Sequence, residues 1–225
     1  MIAGEEGRRV LQAAFDGLTL DEALRAAEAA APYADILEIG TPLIVLEGMR
    51  AVRAFRRAFP DKTLLADIKV MDGGALQAAY CFDAGASVIT VLAGAGEATI
   101  RCCCERAAES GGDVAADLTN TEALPAAVGR LVRLGIRRLI VHRSLDRIRA
   151  EGGSSLEDLK IVKAAADALP GLSPALRLYA AGGITSETAG AYTAAGADGL
   201  IVGSALLGAP DIAAEAARLR AVLDS

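Results

Sequence analysis

Short apolar runs alternate with longer helical stretches along almost the whole chain, and this alternation constrains the fold more than any other feature. Strands that alternate with helices form parallel sheets. Eight runs are predicted as strands: Val10–Phe15, Ile36–Ile39, Thr63–Ile68, Val88–Leu92, Val114–Leu118, Arg138–Val141, Leu176–Ala180 and Gly199–Val202. The predicted helices are Thr19–Ala31, Gly48–Phe59, Ala75–Ala84, Ala98–Ser110, Leu124–Leu134, Ser155–Leu169, Ser186–Ala195 and Asp211–Leu223.

Eight strand–helix units in 225 residues favour a closed (β/α)8 TIM barrel over an open doubly wound sheet. No linker divides the chain, so we expect a single domain over residues 1–225, with a short N-terminal extension at 1–8. Asp21 and Ser186 are predicted as helix N-caps or first-turn residues. The Gly- and Ser-rich segment Glu151–Ser155 follows the sixth strand and is predicted as a mobile loop over the barrel mouth.

Charge and hydropathy exclude several classes of function. The net charge of −6 is spread along the chain, which argues against nucleic-acid binding because that requires a basic surface. No apolar run reaches the length of a membrane span, and the charged N-terminus lacks a signal-peptide core. We therefore expect a cytoplasmic protein with reduced cysteines that mainly fill the interior.

The segment ADIKVMDG, residues 66–73, places Asp67, Lys69 and Asp72 at the spacing D-x-K-x-x-D. Residues two apart on a strand point the same way, so Asp67 and Lys69 share a face and Asp72 lies just beyond the strand end. From this segment alone, a structural ion pair between Asp67 and Lys69 is as reasonable as a catalytic site.

The ends of the other strands extend this set of charged residues. Catalytic groups of a TIM barrel gather at the carboxyl ends of its strands. Besides the D-x-K-x-x-D residues, the predicted strand ends carry Asp16, Glu38, Asp117 and His142. This clustering favours an active site over a lone ion pair.

Two of these residue types suggest specific chemistry. Glu38 and Asp67 are hard oxygen ligands on neighbouring strands and suit Mg²⁺, although both could simply pair with Lys69. His142 ends an apolar run, where a histidine can be structural or can serve as a general base near neutral pH.

Glycine-rich turns follow the last two strands. The segments AAGGI (180–184) and IVGSAL (201–206) contain Gly182, Gly183, Gly203 and Ser204. Glycine lets backbone N–H groups approach an anion, and this position is the usual phosphate site of TIM barrels. The pair of turns predicts a phosphorylated small-molecule substrate.

From about Arg8 to its C-terminus the chain resembles the orotidine-5′-phosphate decarboxylase suprafamily. Within it, the chain is most similar to the branch of the hexulose-6-phosphate synthases and 3-keto-L-gulonate-6-phosphate decarboxylases. The resemblance is carried by LQAAFD (11–16), EIGTPLIVLEG (38–48), LADIKVMDGG (65–74), AGASVITVLAG (84–94), ADLTN (116–120), VHRSLD (141–146), AAGGI (180–184) and IVGSAL (201–206).

This resemblance implies a lyase that forms a 1,2-enediolate of a sugar phosphate, with Mg²⁺ held by Glu38 and Asp67. Lys69 and His142 then act on the enediolate and its protons, and Asp117 belongs to the same catalytic set. The resemblance also implies a homodimer in which Asp72 reaches into the neighbouring active site. The substrate-binding residues that the resemblance implies are Asp16, Ala181, Gly182, Gly183, Gly203 and Ser204.

Three positions separate the two branches. Asp117 and Ala181 are similar to the synthases, and Leu145 replaces the arginine that decarboxylases carry three residues after the histidine. The chain is therefore expected to condense formaldehyde with D-ribulose 5-phosphate. The segment His142-Arg143-Ser144 instead resembles the decarboxylases, which keeps a sugar-phosphate decarboxylase as the alternative. A non-catalytic sugar-phosphate-binding barrel is a third possibility. Arg143 could face a partner subunit or replace the missing cation, and residues 147–155 depart from both branches.

Overall fold

Parallel strands close into a barrel in the computed structural model of this chain, and the last strand pairs with the first. The structure describes residues 7–171 and 175–225, without the side chain of Leu145. In these residues the strands are β1 (Val10–Phe15), β2 (Ile36–Ile39), β3 (Thr63–Val70), β4 (Val88–Leu92), β5 (Asp113–Asp117), β6 (Arg138–His142), β7 (Arg177–Ala181) and β8 (Gly199–Val202). The predicted TIM barrel is confirmed.

Helices surround the barrel and connect the strands. They are α1 (Leu20–Ala30), α2 (Thr41–Glu47), α3 (Met49–Ala58), α4 (Gly74–Asp83), α5 (Glu97–Ser110), α6 (Leu124–Arg133), α7 (Leu145–Glu151), α8 (Leu156–Asp167), α9 (Ala189–Ala194), α10 (Ser204–Leu207) and α11 (Ile212–Asp224). Asp21 lies in the first turn of α1 as predicted, while Thr19 caps that helix by accepting from the Glu22 N–H. Most predicted boundaries agree within two residues.

Three short helices, α2, α7 and α10, were absent from the sequence prediction. Each has seven residues or fewer, so none carries enough turns to establish a helical period in the sequence. The prediction for Ser186 was wrong, because α9 begins at Ala189 after Thr188. Of the predicted loop at 151–155, Glu151 ends α7 and only residues 152–155 form the connection. The predicted extension at 1–8 lies outside the described residues apart from Gly7 and Arg8.

The core has two layers. Side chains inside the barrel form one buried cluster: Val10, Ala14, Ile36, Leu65, Val88, Ala115, Ile140, Tyr179, Ala181 and Ile201. A larger cluster fills the space between strands and helices, where Phe15 and Phe55 pack with ring centroids 5.7 Å apart. The barrel is therefore packed with side chains below its rim, and a ligand is confined to the carboxyl end.

The cysteines are free thiols, and Cys81 and Cys103 are buried in the outer layer. Burial raises the pKa of each of these two thiols to about 12, so both are protonated at neutral pH and pack as small apolar groups. In residues 7–171 and 175–225, no helix has the length and apolar character that crossing a bilayer requires.

Candidate active site

Lys69 lies at the centre of a polar cluster at the carboxyl end of the barrel. Its Nζ is 3.0 Å from Asp67 Oδ1 and 2.7 Å from Asp67 Oδ2, and it donates to Asp117 Oδ2 at 2.8 Å. Asp117 is 1 % exposed and Asp67 7 % exposed, so both ion pairs are shielded from solvent. The predicted ion pair between Asp67 and Lys69 is therefore present. Lys69 forms a second ion pair with Asp117 at the end of β5.

The backbone at Lys69 departs from regular strand geometry. Its φ is +46°, a conformation that non-glycine residues rarely adopt, and the pairing of β3 with β4 shifts register between Ala66 and Val70. The Lys69 N–H donates to Thr90 Oγ1 at 2.8 Å, which stabilises this irregular backbone. Strain of this kind collects at functional sites, where surrounding contacts hold a side chain in place.

Lys69 is a permanent cation. Burial by itself lowers the pKa of Lys69, but the carboxylates of Asp67 and Asp117 outweigh burial and raise it well above its usual value. Burial also opposes ionisation of Asp117, yet hydrogen bonds and charge from His142 and Lys69 hold its pKa well below the usual range. Lys69 therefore presents a positive charge to the cavity, and a charge held in place in this way can stabilise negative charge on a ligand.

His142 faces Asp117 from the end of β6. Its Nδ1 lies 3.2 Å from Asp117 Oδ2 and 2.9 Å from Thr119 Oγ1, and Thr119 Oγ1 donates to Asp117 Oδ1 at 2.5 Å. We assign the proton to Nδ1, because Asp117 is an acceptor there. The lone pair is then on Nε2, as a general base requires.

Asp67 is held by two threonines as well as by Lys69. Thr41 Oγ1 lies 2.9 Å from Asp67 Oδ2, and Thr90 Oγ1 donates to Asp67 Oδ1 at 2.7 Å. Thr41 begins α2, so this helix fixes one wall of the site. These contacts hold the carboxylate in a single orientation.

Glu38 and Asp16 complete an acidic wall. Burial, followed by repulsion from Asp67, raises the pKa of Glu38 well above its usual value, even though Gln12 Nε2 donates to Glu38 Oε2 at 2.5 Å. Desolvation and Asp67 likewise raise the pKa of Asp16. Gly40 lies so close to Asp16 that any Cβ at this position would collide with the Asp16 carboxylate.

This wall fits a divalent cation. The carboxyl groups of Asp16, Glu38, Asp67 and Asp117 line one cavity with Lys69 and Arg149, so the acidic side chains outnumber the permanent cations. The described residues contain no group of three or more protein ligands that could hold a metal. Mg²⁺ commonly binds through one or two carboxylates and takes its remaining oxygens from water and substrate. Glu38 and Asp67 meet that requirement.

Glycine turns line another part of the same cavity, which measures about 510 Å³. The lining residues there include Ala181, Gly182, Gly183, Gly203 and Ser204. Gly182 and Gly183 have φ values of +103° and +68°, and a Cβ at Gly182 would collide with the Arg143 carbonyl oxygen. Only glycine allows this tight turn, which brings the backbone to the cavity.

Asp72 lies away from this cavity. Its side chain is exposed, and Asp72 Oδ1 accepts from the Gly73 N–H at 2.8 Å. Asp67 and Lys69 line the cavity and Asp72 does not, so the structure separates the two halves of the motif.

Sequence reasoning missed four polar residues that support the site: Gln12, Thr41, Thr90 and Thr119. Gln12 and Thr90 interrupt apolar strands, and a polar residue in the middle of a buried strand is a usable signal because it must find a partner. Thr41 and Thr119 follow strand ends and carry no comparable signal. The guanidinium of Arg143 donates to Gly152 O and to Glu151 of its own chain.

The barrel and its cavity define a TIM-barrel protein with a polar site at the carboxyl ends of its strands. The profile of the orotidine 5′-phosphate decarboxylase / HUMPS family matches residues 9–219, and the chain belongs to this family.

Relatives and solved structures agree with this assignment. The chain is 36% identical to a 3-hexulose-6-phosphate synthase from Mycobacterium gastri over 95% of its own length and 99% of the relative's. The crystal structure of 3-hexulose-6-phosphate synthase from Salmonella typhimurium superimposes with a TM-score of 0.89 at 38% identity, covering 95% and 98% of the two chains. A 3-keto-L-gulonate-6-phosphate decarboxylase from Vibrio cholerae gives 0.82 at 33% identity, covering 96% and 98%.

Proposed function

We propose that this protein condenses formaldehyde with D-ribulose 5-phosphate to give 3-hexulose 6-phosphate. The observation that carries the proposal is Asp117, whose single carboxylate contacts both Lys69 at 2.8 Å and His142 at 3.2 Å inside the glycine-lined cavity. A glutamate would be one methylene longer and would displace one of these contacts. The identity to 3-hexulose-6-phosphate synthases supports the same reaction.

His142 performs the first proton transfer. Its Nε2 removes a proton from C1 of the ketose, and Asp117 stabilises the imidazolium that results. Negative charge that develops on the substrate oxygens is stabilised by the ammonium of Lys69, which is already held in place by two carboxylates. The C1 carbanion then attacks the carbonyl carbon of formaldehyde, and the new alkoxide takes the proton from the imidazolium of His142, which restores the base.

Mg²⁺ is the proposed cofactor. Glu38 and Asp67 would hold it, and when bound it supplies Lewis-acid stabilisation of negative charge on substrate oxygens. The supporting observation is the raised pKa of Glu38, because a buried carboxyl beside Asp67 gains a favourable partner when a cation arrives.

The Glu38→Gln variant tests this cofactor without relying on activity. A buried carboxyl with a raised pKa contributes most to stability below its ordinary pKa of 4.5, and that contribution is lost as the pH rises. We expect the variant to unfold at a higher temperature than wild type at neutral pH without metal. Adding Mg²⁺ should raise the unfolding temperature of wild type only.

The exposed Glu157→Gln variant is the matched control and should respond to Mg²⁺ as wild type does, because Glu157 pairs with Lys160 on the surface. An equal Mg²⁺ response in Glu38→Gln would show that Glu38 is not a ligand.

A homodimer is the proposed assembly. Five large apolar side chains on α2 and on the segment that surrounds Asp72 are more than half exposed: Val45, Leu46, Met71, Leu76 and Tyr80. The segments that carry them follow the paired strands β2 and β3, and clustered exposed apolar side chains are typical of an interface. A second copy of the chain is the occupant we propose, because Asp72 lies in this surface and outside its own cavity.

A carboxy-lyase acting on 3-keto-L-gulonate 6-phosphate is the second candidate. It is favoured by the 33% identity to the decarboxylase from Vibrio cholerae and by the segment His142-Arg143-Ser144. The side chain of Leu145, one of the three discriminating positions, lies outside the described residues.

One assay separates these reactions. Purified protein with Mg²⁺, formaldehyde and ribulose 5-phosphate should consume formaldehyde and form a hexulose phosphate. The same preparation should release CO₂ from 3-keto-L-gulonate 6-phosphate more slowly. Faster CO₂ release would favour the decarboxylase, and the absence of formaldehyde consumption would exclude the synthase.

A further inference from the structure

The cavity contains a second cation besides Lys69 whose role is unexplained. Among the described lining residues, Lys69 and Arg149 carry permanent positive charges. Lys69 is ion-paired with Asp67 and Asp117, so these carboxylates neutralise its charge and it attracts a distant phosphate group only weakly. A phosphate monoester at the glycine turns therefore lacks a charged partner unless Arg149 supplies one.

Arg149 belongs to α7, and α7 lies directly beside the glycine turn after β7. Ile148 Cδ1 is 3.6 Å from the position that a Cβ of Gly183 would occupy. The Arg143 carbonyl oxygen, at the start of the same connection, lies against Gly182. These contacts hold α7 over the turn, so the residue after Ile148 lines the same cavity as Gly182 and Gly183.

The three arginines of this connection differ in their partners. Arg143 and Arg147 both bind Glu151, at 3.1 Å and 2.8 Å. Among the described residues, Arg149 has only a long contact of 3.8 Å to Asp146, and the two side chains are 78% and 97% exposed. An exposed pair at this distance contributes little stability, so exchanging it for a phosphate costs little.

We propose that Arg149 binds the phosphate group of the sugar-phosphate substrate. This inference rests on the proposed function, because it assumes a phosphorylated ketose in the cavity. The planar guanidinium can donate two parallel hydrogen bonds to phosphate oxygens, while the glycine turns offer backbone N–H groups. Arg149 is then a binding and specificity residue, contributed by a helix that the sequence pattern did not reveal.

The Arg149→Ala variant provides the test. Because a charge-assisted hydrogen bond contributes about 1.5–3 kcal/mol, we expect KM for ribulose 5-phosphate to rise about 10-fold or more. The kcat and the KM for formaldehyde, which is uncharged, should change less than about 2-fold. The reason is that a contact with the phosphate group stabilises the bound substrate and the transition state equally. Inorganic phosphate should inhibit the variant more weakly than it inhibits wild type. Arg149→Lys should recover part of the affinity because it keeps the charge.

Arg147→Ala is the matched control, because Arg147 lies on the same short helix, pairs with Glu151 and lines the neighbouring cleft. Its KM for ribulose 5-phosphate should stay near that of wild type. An equal rise in Arg147→Ala, or no rise in Arg149→Ala, would overturn the proposal.

Calorimetry with ribulose 5-phosphate and with inorganic phosphate distinguishes a failure of this inference from a failure of the proposed function. If wild type binds ribulose 5-phosphate but does not turn it over, weaker binding by Arg149→Ala still supports the role of Arg149. Unchanged binding by that variant, or no binding by wild type, counts against it.

Discussion

Replacing Lys69 with alanine should lower kcat by about 10³-fold, because removing one preorganised charge from a desolvated site costs on the order of 10²–10³ in rate. Lys69 keeps its proton because Asp67 and Asp117 hold it, and its ammonium and His142 both contact Oδ2 of Asp117. Formaldehyde consumption at saturating ribulose 5-phosphate and Mg²⁺ is the measurement.

The alanine variant also leaves Asp67 and Asp117 without their shared cation, so loss of activity has to be separated from loss of folding. Thermal unfolding should show Lys69→Ala to be less stable than wild type. Lys69→Arg should regain much of that stability while its turnover stays low, because a guanidinium cannot reproduce the position of Nζ. Lys160→Ala, on the surface beside Glu157, should behave as wild type. Retention of more than about a tenth of wild-type turnover in Lys69→Ala would contradict the proposed role.

Mixing two inactive variants should restore activity if each active site uses Asp72 from the neighbouring subunit. Asp72→Ala and His142→Ala should each be inactive alone. A mixed dimer has one site in which His142 and the incoming Asp72 are both intact. Random exchange at equal concentrations then gives about a quarter of wild-type activity, since half of the dimers are mixed and each has one working site.

Two outcomes would count against this arrangement. If Asp72 acts within its own chain, mixing cannot restore turnover, although each variant still forms dimers. If the protein is monomeric, analytical ultracentrifugation will show a single species near the mass of one chain, which is 23.0 kDa. Each variant taken alone through the same exchange treatment, such as Asp72→Ala, gives the background activity against which the mixture is compared.

Much of the fold follows from local patterns. Apolar runs of four to eight residues bounded by turn residues mark the strands, and their alternation with amphipathic helices leads to a closed parallel barrel. The barrel rule then places Asp16, Glu38, Asp67, Asp117 and His142 at one rim without knowledge of any contact. The short helices escaped prediction because α2, α7 and α10 span only two turns or less.

The details of the site follow from contacts between distant parts of the chain. Lys69 and Asp117 are 48 positions apart, and Gln12 and Glu38 are 26 apart, so no local spacing predicts either hydrogen bond. The positive φ of Lys69 was also hidden, because it depends on the shifted register between β3 and β4.

The sequence alone thus determined the barrel, the rim and the residue types that suit acid–base and phosphate chemistry. Only the tertiary structure decided which of them act together. It joined Asp67 and Asp117 to one lysine, left Asp72 on an exposed apolar surface, and separated Arg149 from the arginines bound to Glu151. The physical reason is that periodicity reports which face of an element is buried, whereas ion pairing depends on distances that exist only after the barrel closes.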